Sequence, residues 1–354
     1  MKKTDERDTM FARANYQPGS EAYKDYYSKN PERKQIDDSF RNRTQLCGED
    51  SMTYNKLNSP IAECAFNFLG DIRNLCEGNI SKEKIEASPK IFSKKIKGIA
   101  KQYGASVVGI TKLKNEHIYS HRGRHEENYG EEINLNHEYA IVFGCEMNKD
   151  MINRSPMIAE VIETSKCYVD AAIIGMIISY YIRSLGYDAR NHMDGNYLVI
   201  PTLIAKDAGL GQIGRNAILT NKDFGSRLRL GVVTTTLSLS EDDEIDFGLD
   251  DFCKVCKKCA LYCPSQSLSR EGKLGFNNKY NWTVNVETCY EKWRYLGTDC
   301  GMCISVCPFS QNLESIKNCN SFKKNGNAIE KALNEYKRKF GSRVFIPGNP
   351  PWLR

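Results

Sequence analysis

Eight of the chain's fourteen cysteines are spaced to hold metal clusters. A first run reads Cys253-x2-Cys256-x2-Cys259-x3-Cys263 and is followed by Pro264. Cys289 stands alone, and a second run reads Cys300-x2-Cys303-x3-Cys307 followed by Pro308. Eight thiolates are what two [4Fe–4S] cubes need at four each, and in two-cluster modules the last cysteine of each run ligates the other cube. The expected division is Cys253, Cys256, Cys259 and Cys307 on one cube, and Cys263, Cys289, Cys300 and Cys303 on the other. Two-residue gaps let successive sulfurs reach neighbouring irons from one tight loop. Pro264 and Pro308, with fixed φ and no N–H to satisfy, then turn the chain away. Cys-x2-Cys pairs also suit tetrahedral zinc, but zinc ribbons show two separated pairs and not a triplet plus Cys-Pro. Two cubes mean one-electron transfer, so the chain is expected to move electrons.

Such electrons need an acceptor, and three upstream features are candidates. Gly209-Leu210-Gly211-Gln212-Ile213-Gly214 fits G-x-G-x-x-G. A dinucleotide fingerprint needs a strand before it, a helix after it and an acidic residue about twenty positions on. Here Pro201-Thr202-Leu203-Ile204-Ala205-Lys206-Asp207-Ala208 precedes it and reads as helix. A loop whose glycines let backbone approach a flat cofactor is the better reading. The histidines, His117, His121, His125, His137 and His192, include no Asp-x-His-x-x-Gly motif; most read as surface residues and none is assigned a metal. Tyr168 lies on a long helical stretch, with Thr164 one turn earlier on the same face. A tyrosine among Ala171, Ala172 and Ile174 is ordinarily core, because its ring buries readily. Arg227 and Arg229, in Phe224-Gly225-Ser226-Arg227-Leu228-Arg229, read equally well as surface charges. Residue types alone leave the acceptor open.

Holding these groups in place takes a core, and the chain is long enough to build one. It has 354 residues, and the cysteine segment takes about a sixth of them. With 40% hydrophobic and 27% charged residues and a mean hydropathy of −0.54, a soluble globular protein is expected. The formal charge of +6 is mild, and the basic residues are scattered without aromatic interleaving. That pattern suits solubility, or docking to an acidic electron carrier or membrane surface, better than nucleic-acid binding. Cys47, Cys64, Cys76, Cys145, Cys167 and Cys319 show no spacing pattern and are expected as free thiols in a reducing compartment. The first residues turn polar at once, with no apolar signal core and no twin arginine, and the apolar run 171–182 is short for a membrane span. The expected location is cytoplasmic, with at most peripheral membrane association.

Residues 1–80 read as a polar, tyrosine-rich arm with short helices, and 81–240 as the core domain. A helix is expected from Ser88 and Pro89 to near Gly104, and strands over 105–111 and 139–145. The stretch 158–185 reads as a long helix closed by Gly186, with short strands after it at 197–200 and 230–236. The acidic segment 240–244 reads as a solvated linker into the cluster domain, 241–320. The remainder, 321–354, holds a helix near 328–339 and a proline-rich tail. The fold class expected is α+β.

Several of these motifs together resemble the corrinoid-dependent reductive dehalogenases. The opening Asp5-Glu6-Arg7-Asp8-Thr9-Met10-Phe11-Ala12-Arg13, with Tyr26-Tyr27 and Pro31-Glu32, looks like the start of their mature chains. The run from Thr164 through Tyr168, Ile182-Arg183-Ser184-Leu185-Gly186-Tyr187 and Asp207-Ala208-Gly209-Leu210-Gly211 is similar to their cofactor domain. Cys289-Tyr290-Glu291-Lys292-Trp293 and Cys300-Gly301-Met302-Cys303 match their modified ferredoxin motif. The resemblance implies a nitroreductase-like core holding a base-off cobalamin, joined to a C-terminal ferredoxin-like domain with two [4Fe–4S] clusters. It implies halide removal from an organohalide, with electrons from a low-potential ferredoxin, flavodoxin or membrane donor. Residue by residue it makes Tyr168 the proton donor and Arg227 its basic partner. Thr164, Asp194 and Trp293 fall at the substrate pocket, and Gly209, Leu210 and Gly211 at the cofactor. Asp194 stands where some members have asparagine, and a carboxylate there would disfavour an anionic substrate.

Two other functions are weighed against this one. Epoxyqueuosine reductase, a tRNA-modifying enzyme, combines cobalamin with two cubes, but its Val-Asp-Thr-x-Pro stretch is replaced here by Tyr197-Leu198-Val199-Ile200-Pro201. The other is a non-catalytic iron–sulfur electron-transfer protein without a corrin site.

Overall fold

The computed structural model describes residues 3–271, 273–274 and 280–354. Its centre is an antiparallel sheet in the order β1-β2-β6-β3, formed by Val107–Lys112, Tyr139–Glu146, Leu228–Thr235 and Ala189–His192. The pleat divides β2 between two cores. Ile141, Phe143 and Cys145 face the 27-residue helix α7, Ile158–Ser184, and the helix α5, Pro89–Gln102. Ala140 and Val142 face the short helix α8, Pro201–Asp207. With both faces covered, β2 reads as a continuous apolar run. Gly186 follows α7 with φ +85°, the left-handed geometry that closes a helix.

The other described elements wrap this centre. The arm holds α1 (Met10–Asn15), α2 (Glu21–Lys29), α3 (Pro31–Arg41) and α4 (Ser59–Ile72). Its first three helices close on a cluster of Tyr16, Tyr26 and Tyr27, while α4 lies against α7. A short α6 (Lys149–Ile152) precedes α7, and a hairpin of β4 (Gln212–Ile213) and β5 (Leu219–Thr220) follows α8. The cysteine region holds α9 (Leu249–Cys256), α10 (Lys258–Leu261), β7 (Lys273–Leu274), β8 (Tyr280–Asn281), α11 (Val286–Leu296) and α12 (Met302–Ser305). After α13 (Glu314–Lys317), α14 (Gly326–Phe340) returns over α9. Tyr336 and Ile329 of α14 share one core with Phe252, Phe309 and Phe322, so this helix packs as part of the cluster module.

Three local expectations are corrected. The segment 240–244 is no free linker, because it runs along the open edge of β1. Asp242 accepts from the Ile110 N–H at 2.8 Å and donates its own N–H to the Ile110 carbonyl at 2.8 Å, while Glu241 accepts from the Lys112 N–H at 3.2 Å. Those contacts satisfy an edge that would otherwise invite pairing with another chain. Second, the strand expected at 197–200 is a single bridge between Ile118 and Val199, because Pro201 starts α8 at once. Third, three histidines are interior. His117 and His192 are fully buried and His137 nearly so, and burial pushes both His117 and His192 below the ordinary imidazole value. His117 bonds Asp207 at 2.9 Å, and His137 and His192 share the Thr234 hydroxyl at 2.7 and 2.8 Å.

Candidate functional site

The eight cysteines surround two cavities in the division that their spacing predicts. Cys253, Cys256, Cys259 and Cys307 line one, beside Gly214, Arg215 and Asn216 of the β4–β5 hairpin. Arg215 ties the module to the core by donating to the Cys253 carbonyl at 2.8 Å and the Ser269 carbonyl at 2.8 Å. Cys263, Cys289, Cys300 and Cys303 line the other, a cavity of about 440 Å³ that reaches to Tyr168. Four sulfurs line each cavity, the number that one [4Fe–4S] cube takes. Gly301 lets the Cys300–Cys303 turn close: its φ is +60°, and a Cβ there would strike Glu160 and Ser155.

Tyr168 projects from α7 onto the wall of the larger cavity, between Leu228 and Leu230 of β6 and Trp293 of α11. Arg229 donates to its phenol oxygen at 3.3 Å and lies 4.9 Å from its ring centroid. The same guanidinium is fixed by the Thr164 hydroxyl at 3.0 Å and by Asp299 at 2.5 Å. Burial raises the phenol's pKa, opposed by Arg229, and the net direction is upward. Behind this pair Glu160 is fully buried, and burial with Asp299 beside it pushes its carboxyl well above the usual range. The Thr164 hydroxyl reaches Glu160 at 3.3 Å, so a polar chain runs from Glu160 through Thr164 and Arg229 to the phenol. Arg229 Nε is buried without a hydrogen-bond partner, while the Asp299 carboxylate stands against the raised carboxyl of Glu160.

The structure brings together some of the residues singled out from sequence and separates others. Tyr168, Thr164, Trp293 and the second cysteine set meet at the cavity or its wall. Arg227 does not contact Tyr168. It is fully buried, bonding Glu146 at 2.8 Å and the carbonyls of Ser310 and Met147 at 2.8 and 2.6 Å; the contact expected of it is made by Arg229. Gly209, Leu210 and Gly211 also lie away from the cavity. A Cβ at Gly209 would meet the Asp243 backbone and one at Gly211 the Thr220 backbone, while Leu210 fills the core under the sheet. Those glycines allow close chain packing, and only Gly214 of the motif reaches a cysteine cavity. Asp194 pairs with Arg124 at 3.4 Å and acts on Tyr168 and Tyr197 through its charge. Sequence reading missed Arg229's contact, Asp299, Glu160 and Phe11. Phe11 comes from the arm and reaches the cavity mouth 6.1 Å from Trp293. The position of Asp299 beside Cys300 was the one available signal for it.

The family model of the 4Fe-4S dicluster domain matches residues 252–311. The tetrachloroethene reductive dehalogenase of Sulfurospirillum multivorans is 34% identical over 181 residues, covering 49% of this chain and 36% of that protein. A solved reductive dehalogenase, described as suggesting a mechanism for B12-dependent dehalogenation, aligns with a TM-score of 0.71 at 24% identity over 86% of this chain and 46% of that one. The epoxyqueuosine reductase of Lactococcus garvieae is 30% identical over 122 residues, a shorter match covering 33% of this chain and 34% of that protein. The chain spans less than half the length of the reductive dehalogenases it matches.

Proposed function

We propose that this chain, a relative of the reductive dehalogenases in sequence and fold, removes halide reductively from an organohalide with two [4Fe–4S] clusters and a cobalamin. The observation that carries this reading is the meeting of Tyr168, Arg229 and the second cysteine set at one cavity. Cys253, Cys256, Cys259 and Cys307 would hold one cube, and Cys263, Cys289, Cys300 and Cys303 the other. The cavity's walls are formed largely by apolar side chains, which would pack against the faces of a corrinoid. The unpartnered Arg229 Nε leaves a polar group to spare beside the cavity. When bound, the clusters supply single electrons and the corrinoid a strongly reducing cobalt centre.

The overall change takes R–X, two electrons and a proton to R–H and halide, and the chain's own residues manage the proton. Burial keeps the Tyr168 phenol protonated at neutral pH. Arg229 stabilises the tyrosinate left once that proton has moved. Thr164 and Asp299 hold Arg229 in place, and Phe11 and Trp293 screen the cavity mouth from water. Pairing with Arg124 offsets the negative charge of Asp194, and the apolar walls favour an uncharged organohalide.

The test is halide release by anaerobically reconstituted protein supplied with an artificial reductant. Tyr168→Phe should lower turnover about 10²–10⁴-fold, the usual worth of a positioned proton donor. Unchanged turnover would remove Tyr168 from this role. Restoration of queuosine in a host lacking its reductase, without halide release, would transfer the protein to the tRNA-modifying relatives.

A further inference from the structure

We propose that the hydroxyls of Ser265, Ser267 and Thr288 form a polarised chain that ends on a cluster ligand and makes the cluster beside Tyr168 easier to reduce. The proposal rests on reading Cys263, Cys289, Cys300 and Cys303 as ligands of one cube. Ser265 Oγ lies 3.5 Å from Cys263 Sγ and 2.7 Å from Ser267 Oγ, which in turn lies 2.7 Å from Thr288 Oγ1. The Ser267 N–H donates to the same sulfur at 3.3 Å. Gln266 allows this approach. It takes φ +51°, and its N–H closes a turn on the Cys263 carbonyl at 3.1 Å, so that the next amide returns to the sulfur. Non-glycine residues seldom hold this left-handed conformation, and such positions collect where function requires them. Ser265 and Ser267 both lie on the wall of the Tyr168 cavity.

The sulfur's chemistry fixes the sense of the chain. A thiolate bound to iron carries no proton and can only accept, so the Ser265 hydroxyl donates to it. Ser265 must then accept from Ser267, and Ser267 from Thr288. Hydroxyls that all donate in one direction polarise one another, which strengthens the bond at the sulfur. Reduction adds an electron to the cube and its sulfurs. A donor there stabilises the reduced state more than the oxidised one and raises the potential. Thr288 has a competing acceptor in the Asn285 carbonyl, but at 3.4 Å that bond is the weaker. Backbone already holds the turn against the start of α11, through the Asn285 N–H on the Ser267 carbonyl at 2.9 Å and a bridge between Leu268 and Val284. The three hydroxyls are thereby left to act on the sulfur.

The test is a redox titration of anaerobically reconstituted full-length protein, followed by electron paramagnetic resonance, with iron counted in parallel. The parent should show two [4Fe–4S] midpoints. Ser265→Ala should make reduction of one cluster about tenfold less favourable, a fall of about 59 mV for one electron, and leave the other midpoint in place. Thr288→Val removes a hydroxyl that touches no sulfur, and should lower the same midpoint by less. Ser265→Thr keeps the donor and should titrate as the parent does. Parental midpoints in S265A and T288V at full iron content would overturn the proposal, and so would equal shifts of both midpoints. If S265A loses iron, the presence or absence of the shift in T288V decides. A parent protein without two cluster signals would instead sink the reading of the cysteines beneath it.

Discussion

Arg227 and Arg229 stand two residues apart at the entry to β6, one sealed among carbonyls and the other reaching the cavity wall. Their substitutions should therefore fail differently. Arg227→Leu strips the partners from Glu146 and two buried carbonyls, and should cost about 3 kcal/mol of stability in chemical denaturation. Arg229→Gln removes the charge that eases phenol ionisation, and should reduce halide release by up to about tenfold for each pK unit by which the phenol rises. Arg229→Lys, which keeps the charge but not the fork, should fall between the parent and Arg229→Gln. The two arginines have the same phase on the strand, and the sequence contains nothing that assigns one of them to Tyr168. What separates them is their partners, Glu146, Met147 and Ser310 for Arg227 and Thr164, Tyr168 and Asp299 for Arg229. Glu160 and Asp299 were hidden for a similar reason, since Glu160 meets Asp299, and Asp299 meets Arg229, only across long stretches of chain.

Elements with a strong apolar signal were legible. The runs of β-branched and apolar residues that make β1, β2 and β6, and the continuous apolar length of α7, lie within one or two residues of their expected bounds. The strand β3 was not foreseen, because Ala189-Arg190-Asn191-His192 looks like loop. Its buried polar side chains find distant partners in Asn196, the Ala172 carbonyl and Thr234. The tight turn around Gly301 offers a test at this scale. Gly301→Val would force a β-branched residue into φ +60° and against Glu160. Iron content should fall from about eight toward about four atoms per chain, since three of the first set's four cysteines, Cys253, Cys256 and Cys259, lie outside this turn. Loss of all iron would show that the two sites assemble as one.

The arm, sheet and cluster module are locked together across the whole molecule. Asn58 of the arm donates to the Leu353 carbonyl of the tail at 2.8 Å, and Leu353 enters an apolar cluster with Ile158 and Ile162 of α7. One polar junction links stability to pH. Burial alone would raise the Asp207 carboxyl, but hydrogen bonds from Lys114, His117 and Lys206 outweigh it and hold the group at about 2. A depressed pKa contributes stability above the ordinary carboxyl value, near pH 4, and loses it as pH falls toward 2. Asp207→Asn should therefore melt earlier than the parent at pH 6, with the gap closing as both are acidified. The arm has a consequence of another kind. Arg13, buried at the end of α1, is held by Asp37 at 2.7 Å and Glu287 at 2.8 Å, so one ionic knot anchors both Phe11 and the start of the helix that carries Cys289. Air would reach the inner sulfurs first wherever that knot slipped, and the segment that looks least like an enzyme in the sequence would then set how long the protein survives oxygen.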